Sequence, residues 1–411
     1  MAQKTKGLYG GVRSFISALC CPKCGKEYDH LKIQHICECG GPLLAVYDMP
    51  QAGKHLSPEL LKERPPNLWR YRELLPVLDA ANIVSLGEGF TPLTPLPRLE
   101  ERYGFGSLYL KDEGVIPTGT FKARGAAVGI SKAKELGVRH IAMPTNGNAG
   151  AAWAAYAARA EIEAHIVMPE AAPLITRTEC AAAGAKVLMV KGLISDCGKI
   201  IARAIASRGW YDASTLKEPY RIEGKKTMGY EIAEQLGWKI PDVIAYPTGG
   251  GVGIIGIYKA LCEMRTLGWI GEKFPRLVAV QAEGCAPIVR AFEKNAGKSE
   301  FFPDSKTVAF GINVPKAFGD FLVLDGLYKT AGTAVSVTDG EIIESLKELA
   351  SAEGEFVCPE GAAAFAGIKK LRAQNWIRAD ESVVLLNTGA GIKYPHTLNF
   401  DIPFCSLDGN I

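Results

Sequence analysis

From residue 107 onward, short apolar runs alternate with helical patterns, and this rhythm restricts the fold more than any other feature of the 411-residue chain. Ser107 to Asp112 reads as a strand and Phe121 to Leu136 as a helix. His140 to Pro144 then reads as a strand and Asn148 to Ala160 as a helix. Ala164 to Pro169, Lys186 to Val190, Val243 to Pro247 and Leu277 to Ala282 are further strands. Gly137 and Gly184 stand where helices should stop and strands begin. Repetition of this kind predicts an α/β fold, a parallel sheet with helices on both faces. Ligands of such sheets sit beyond the carboxyl ends of the strands, on the loops that enter helices.

The length allows two packed domains and a small appendage. The composition, 47% hydrophobic and 22% charged, is that of an ordinary globular protein. A formal net charge of +3 gives no basic field for nucleic acid or an anionic membrane. Met1 to Phe15 carries no apolar run of signal-peptide type, and no segment nears the roughly 20 apolar residues of a membrane span. A cytoplasmic location is the resulting expectation, with no nucleic-acid and no membrane partner. Gln51 to Pro66, polar and proline-rich, reads as a connector from a small N-terminal unit, and the tail after Pro395 as irregular.

Three loops at predicted strand ends carry chemistry. Pro117-Thr118-Gly119-Thr120-Phe121-Lys122-Ala123-Arg124-Gly125 places Lys122 just past a tight Thr-Gly turn, at the opening of an alanine-rich helix. That suits an amine which must condense with a planar cofactor, although a solvated helix lysine fits the same spacing. Thr248-Gly249-Gly250-Gly251-Val252-Gly253 follows one strand and precedes a helical run. Its glycines leave backbone N–H groups free to converge on a phosphate monoester, aided by the helix N-terminus. It lacks the Lys-hydroxyl ending of a nucleotide P-loop and does not match the dinucleotide fingerprint. A glycine turn for close packing is the alternative. Thr145-Asn146-Gly147-Asn148-Ala149-Gly150 is a polar loop in which Asn148 is an N-cap or a side-chain donor to a ligand.

A fourth loop, Thr388-Gly389-Ala390-Gly391-Ile392-Lys393, follows the strand Val383 to Leu386. Together the four resemble pyridoxal-phosphate enzymes of fold type II, the threonine synthases in particular, over nearly the whole chain. Trp69-Arg70-Tyr71, Ser85-Leu86-Gly87-Glu88-Gly89-Phe90-Thr91-Pro92-Leu93, Pro219 to Thr227 (a "PxRxEGxKT" signature) and Cys358-Pro359-Glu360-Gly361-Ala362-Ala363-Ala364 carry the same resemblance in the same order. It implies a two-domain fold with the cofactor, pyridoxal 5'-phosphate, between domains. Lys122 is then the Schiff-base lysine and proton shuttle. Gly249, Gly250, Gly251, Val252 and Gly253 hold the cofactor phosphate. Asn148 meets its phenolic oxygen and Thr388 its ring nitrogen. Thr145, Asn146 and Gly147 hold the carboxylate of a small amino-acid substrate, and Arg221 grips a substrate phosphate, with Lys225 and Lys226 ranked below it. A solvated helix start is the alternative for that cationic cluster.

The implied activity is conversion of O-phospho-L-homoserine to L-threonine, by a homodimer. The implied division is an arm over 1–48, a large domain over 49–137 and 225–411, and a small domain over 138–224. Ala123, the all-glycine cofactor loop, Asn146 and Glu218 depart from the usual pattern. They keep open a serine or threonine dehydratase-type lyase, or a replacement enzyme using phosphoserine. A non-catalytic binding protein that uses the cysteine arm is a third class of reading.

Five of the eleven cysteines lie in the first 39 residues. Cys21-Pro22-Lys23-Cys24 and Cys37-Glu38-Cys39, followed by Gly25, Gly40 and Gly41, suit four thiolates around a structural zinc in a ribbon-like arm. Cys20 could replace Cys21, and an arm that binds no metal fits as well. The other six cysteines read as reduced core residues. The histidines show no H-x-x-x-H or H-E-x-x-H spacing and so give no catalytic metal.

Overall fold

The computed structural model describes residues 13–405. The arm is a three-stranded antiparallel sheet of β1 (Ile16–Cys20), β2 (Glu27–Tyr28) and β3 (Leu44–Tyr47), in the order β2-β1-β3. The stretch expected as a plain connector is helical instead, over Met49–His55 and Pro58–Lys62. Asp48 and Ser57 cap these helices, each followed by a proline in the first turn, which supplies the fixed φ a helix start needs.

β4 (Leu93–Pro95) and β5 (Ser107–Asp112) lead into the main body. A four-stranded parallel sheet follows, made of β6 (His140–Pro144), β7 (Glu163–Pro169), β8 (Lys186–Val190) and β9 (Tyr211–Asp212), in the order β8-β7-β6-β9. β10 (Val243–Pro247), β11 (Arg276–Ala282), β12 (Thr333–Val337) and β13 (Ser382–Asn387) join β5 and β4 in a six-stranded sheet, ordered β12-β11-β10-β13-β5-β4. All its pairs are parallel except β4 with β5. The antiparallel edge was not foreseen; Pro95 is tolerated there because an edge strand need not donate to a further neighbour.

The central strands alternate strictly between two apolar layers. Ile244, Tyr246, Leu277, Ala279, Val384 and Leu386 enter one core, whereas Val243, Ala245, Val278, Val280, Val383 and Leu385 enter the other. A strand buried on both faces must be apolar at every position, which is why these runs stand out in the sequence. Each buried Val, Leu or Ile contributes about 1.5–3 kcal/mol before entropy is counted. Gly137 and Gly184 both adopt left-handed φ, +74° and +77°, at the helix ends where they were expected.

Register sets up the cleft. β13 and β5 run side by side until Asn387 pairs with Asp112, and the Asn387 amide donates to Asp112 Oδ1 at 2.7 Å. The loops leaving those two strands therefore start as neighbours. They stay so: Phe121 N–H donates to the Thr388 carbonyl (3.0 Å) and Ala390 N–H to the Gly119 carbonyl (2.9 Å).

Candidate active site

Lys122 begins the helix Lys122–Glu135, one residue beyond the loop that the 388–391 turn holds in place. Thr118 takes a left-handed φ of +64°, which closes the turn before it. The helix is fixed by a buried ionic cluster. Arg124, fully buried, donates to Glu113 (2.6 Å) and Glu231 (2.5 Å), while Lys111 reaches Glu231 at 2.7 Å. Burial alone would raise the Glu231 carboxyl, yet Arg124 and Lys111 outweigh it and hold the group down to about 2. Gly224 allows the second helix, Arg221–Gln235, to cross here, since a Cβ at Gly224 would lie 2.0 Å from the Arg124 carbonyl oxygen.

Lys122 is half-buried as a residue, while protein encloses its amine. Burial pushes the Lys122 ammonium down to about 8; Glu360 and Cys358 oppose that shift, and Arg221 and Lys393 add to it. Its Nζ lies 3.7 Å from the Phe121 ring centroid. Phe121 packs edge-on against Tyr246, whose hydroxyl lies beneath the glycine loop.

At three of that loop's four glycines a side chain would crowd its neighbours. A Cβ on Gly253 would sit 2.0 Å from the Tyr246 oxygen, and one on Gly251 would sit 2.3 Å from Val323 Cγ2. Gly251 also has φ +78° and caps the helix Val252–Thr266. Gly249 would meet Gly311 and Ile312 backbone at 3.0 Å. Open amides at a helix N-terminus remain, the arrangement that accepts a phosphate. The cleft also holds buried polar atoms with no protein partner: Asn148 Oδ1, Thr118 and Thr120 Oγ1, Tyr246 Oη and Glu360 Oε2. Orphaned acceptors and hydroxyls of this number fit a polar, planar guest.

The family described as "Pyridoxal-phosphate dependent enzyme" matches residues 84–389. The chain is 39% identical over 376 residues to a threonine synthase of Methanocaldococcus jannaschii, covering 91% of this chain and 92% of that one. It is 38% identical to the threonine synthase of Methanosarcina acetivorans, covering 92% of each. The chain belongs to the pyridoxal-phosphate-dependent enzymes, in the family of the threonine synthases. A solved structure, "Structure of maize serine racemase", superposes with a TM-score of 0.64 at 21% identity, over 74% of this chain and 88% of that one. This likeness shows the shared fold-type II architecture.

Pyridoxal phosphate fits the residues present: an amine whose burial favours loss of its proton, a glycine cradle and unpartnered polar atoms around them. Asn148 is not the N-cap; Gly147 takes that place. Thr145 does the capping work, accepting from Gly147 N–H (3.0 Å) and Gly150 N–H (3.1 Å). Asn148 Nδ2 donates to the Tyr394 hydroxyl at 2.7 Å, which leaves its Oδ1 unsatisfied. Thr388 is buried, with Oγ1 3.6 Å from Cys358 Sγ. Asn146 is half-buried on the same loop as Thr145.

Arg221 is 4% exposed and already engaged. It donates to Thr215 Oγ1 (3.1 Å) and to the Ala213 carbonyl, lies 3.6 Å from Glu218, and covers the Trp153 ring. The solvated helix start offered as its alternative is excluded, because residues 221–230 are all buried. Lys226 belongs to the core, paired with Glu223 (2.6 Å) and Glu263 (3.0 Å). Glu218 closes the helix start, accepting from the Tyr220 and Arg221 N–H groups at 2.9 and 2.8 Å.

Sequence reasoning gave no role at the cofactor site to two residues, Glu360 and Tyr394, and a different role to a third, Lys225. Lys225 is buried beside Lys122, donating to the Phe121 carbonyl. Glu360 accepts from Gly311 N–H at 2.5 Å with its other oxygen free. Tyr394 meets Asn148 from 246 residues away. Glu360 and Lys225 each lie inside a quoted motif, whereas Tyr394 gave no signal in the sequence.

In the arm, Cys21, Cys24, Cys37 and Cys39 bring their sulfurs within 4.8 Å of one another. Cys21 to Cys39 and Cys24 to Cys37 are each 3.5 Å apart. Thiolates about 2.3 Å from a tetrahedral zinc would stand about 3.8 Å apart. Gly25 and Gly40 make the expected knuckle turns, at φ +75° and +76°. Cys20 turns its sulfur to the Cys21 and Gly25 carbonyls instead. Of the remaining cysteines, Cys180, Cys197, Cys285 and Cys358 are buried as expected, Cys262 is half-buried and Cys405 is exposed, contrary to the core reading. No described helix is long and apolar enough to cross a membrane.

Proposed function

We propose that this chain makes L-threonine and phosphate from O-phospho-L-homoserine and water. The observation that carries the reading is the enclosed Lys122 amine near a glycine loop at a helix N-terminus, in a chain 39% identical to a threonine synthase over 91% of its length. Pyridoxal phosphate, when bound, supplies an aldehyde for the substrate amine and a ring that acidifies the neighbouring C–H.

The chain's residues supply the rest. Lys122 takes the proton from the substrate's α-carbon and delivers protons at the β-position; a neutral amine near pH 8 can do both. Gly249, Gly250, Gly251, Val252 and Gly253 hold the cofactor phosphate through backbone amides. Asn148 and Thr388 fix its ring, and Thr388, a hydroxyl, adds no charge there. Thr145, Asn146 and Gly147 receive the substrate carboxylate, and Arg221 its phosphate. Phosphate departs from the γ-carbon and water enters at the β-carbon, so the sum balances.

Cys21, Cys24, Cys37 and Cys39 hold a structural zinc in this reading. The arm covers 1–48, the large domain 49–137 and 225–411, and the small domain 138–224; the assembly is a homodimer working in the cytoplasm.

One observation favours a second reading. Arg221 already gives its two terminal nitrogens to Thr215 and Ala213, as a lyase with no substrate-phosphate site would permit, although its Nε makes no hydrogen bond. Purified enzyme given O-phosphohomoserine should release orthophosphate and threonine in equal amounts. Formation of a 2-oxo acid from threonine or serine, with no phosphate release from O-phosphohomoserine, would establish the lyase instead.

A further inference from the structure

His140, Glu163 and His165 form a cluster at the far end of the four-stranded sheet from the cleft. Strand geometry creates it. Glu163 and His165 are two residues apart on β7, so the pleat turns both to one face. His140 opens β6 and is the register partner of Glu163. One residue of each type of donor pair thus converges at the beginnings of these strands, whereas the Thr145 loop leaves the opposite end of β6, about 13 Å along a five-residue strand.

The ligand atoms of all three lie within 4.8 Å of one another. His165 Nε2 is 2.7 Å from Glu163 Oε1, and His140 Nδ1 is 3.4 Å from the same oxygen. His165 Nε2 is buried and, although close to that oxygen, completes no hydrogen bond. Two imidazole nitrogens and a carboxylate oxygen gathered this closely can turn their lone pairs to one metal ion. Donors at zinc's usual 2.0–2.1 Å would stand about 3.3 Å apart around a tetrahedral ion.

A cation already visits the place. Lys186 Nζ lies 2.7 Å from Glu163 Oε1, and its side chain is 62% exposed, free to swing away. The ring of His165 is held from the side by Trp210, stacked at 3.6 Å and 16°, and Trp210 also faces His140.

We propose that His140, Glu163 and His165 form a binding site for a divalent transition metal of zinc type, open to solvent on its fourth side. Two imidazoles and one carboxylate are a zinc-type donor set. The ion clasps the starts of β6 and β7, and it is independent of both the cysteine arm and the cofactor cleft.

The test is equilibrium dialysis of the cofactor-loaded protein against Zn²⁺, with zinc per chain counted by atomic emission. Wild type should hold one more zinc than H165A and one more than H140A. H140A guards against misfolding, since His140 is 46% exposed. K186A should fill the same site at several-fold lower free zinc. A C24S/C39S variant loses only the arm's zinc and keeps this one. Equal zinc in wild type, H165A and H140A throughout the titration would overturn the proposal.

Discussion

Lys122 and Lys225 bring their amines to one ring: their Nζ atoms lie 3.7 and 4.4 Å from the centroid of Phe121. Lys225 also donates to the carbonyl of Phe121, the residue before Lys122. No carboxylate pairs with Lys225 among the described residues, and burial first, then Lys122, pushes its ammonium well below the ordinary lysine range. Two amines so placed accept one proton between them far more readily than two.

Replacing Lys225 by Met should therefore stabilise the fold while harming the site. A buried amine that releases its proton in the folded state costs stability at pH values where the unfolded chain keeps that proton. K225M should raise the melting temperature at pH 7 by the equivalent of about 1 kcal/mol or more, and the gain should shrink as pH rises toward about 10.5. Turnover should drop several-fold, because the carbonyl before Lys122 loses its anchor. Thermal melts across pH, beside kcat, check both halves.

The pH at which Lys122 becomes reactive follows from its burial. With an ammonium at about 8, roughly a tenth of the amine is neutral at pH 7, against well under a thousandth for an ordinary lysine. Competitive acetylation of the apoenzyme should show Lys122 modified with a midpoint near pH 8. Apoenzyme stability should rise between pH 8 and about 10.5, since only the unfolded chain binds the proton there. K122M should flatten that rise.

The cradle should be intolerant of one methyl group. G253A puts a Cβ 2.0 Å from the Tyr246 oxygen, and G251A adds a clash with Val323 to a left-handed backbone that costs about 1–2 kcal/mol. Each should weaken pyridoxal phosphate retention by tenfold or more, measured by dialysis and absorbance. G237A, where φ is +68° and no atom lies near, is the control: it should lose stability and keep the cofactor.

Metal in the arm should show as thiol protection. Zinc-loaded protein should leave Cys21, Cys24, Cys37 and Cys39 slow to react with a thiol reagent, and chelation should free them. The arm is tied to the core through Tyr47, whose hydroxyl donates to Glu223 at 2.8 Å. Chelation should therefore raise hydrogen exchange in 21–41 and leave turnover within about twofold.

Much of this was legible in the sequence because backbone needs are local. The glycines at 249, 250, 251 and 253 and the apolar runs of β10 and β13 announce themselves through sterics and burial. The ends of β5, β6, β8 and β10 fall where apolar periodicity put them. What stayed hidden depends on distance in the chain. Asn148 finds Tyr394, and Lys225 finds Phe121, only after folding. Arg221 looked like a free grip because nothing local shows Glu218 and Ala213 closing on it. The histidine cluster escaped for the same reason: its spacing belongs to strand register, not to any short motif. The helices over 49–62 were legible after all, since Asp48-Met49-Pro50 and Ser57-Pro58 are cap signals that the polar composition obscured.

The account rests on one amine. Enzyme loaded with pyridoxal phosphate, reduced with borohydride and digested, should carry its pyridoxyl label on the peptide containing Lys122, one label per chain, and K122A should carry none. A label on Lys225 or any other lysine, or K122A turning over O-phosphohomoserine as wild type does, would contradict it.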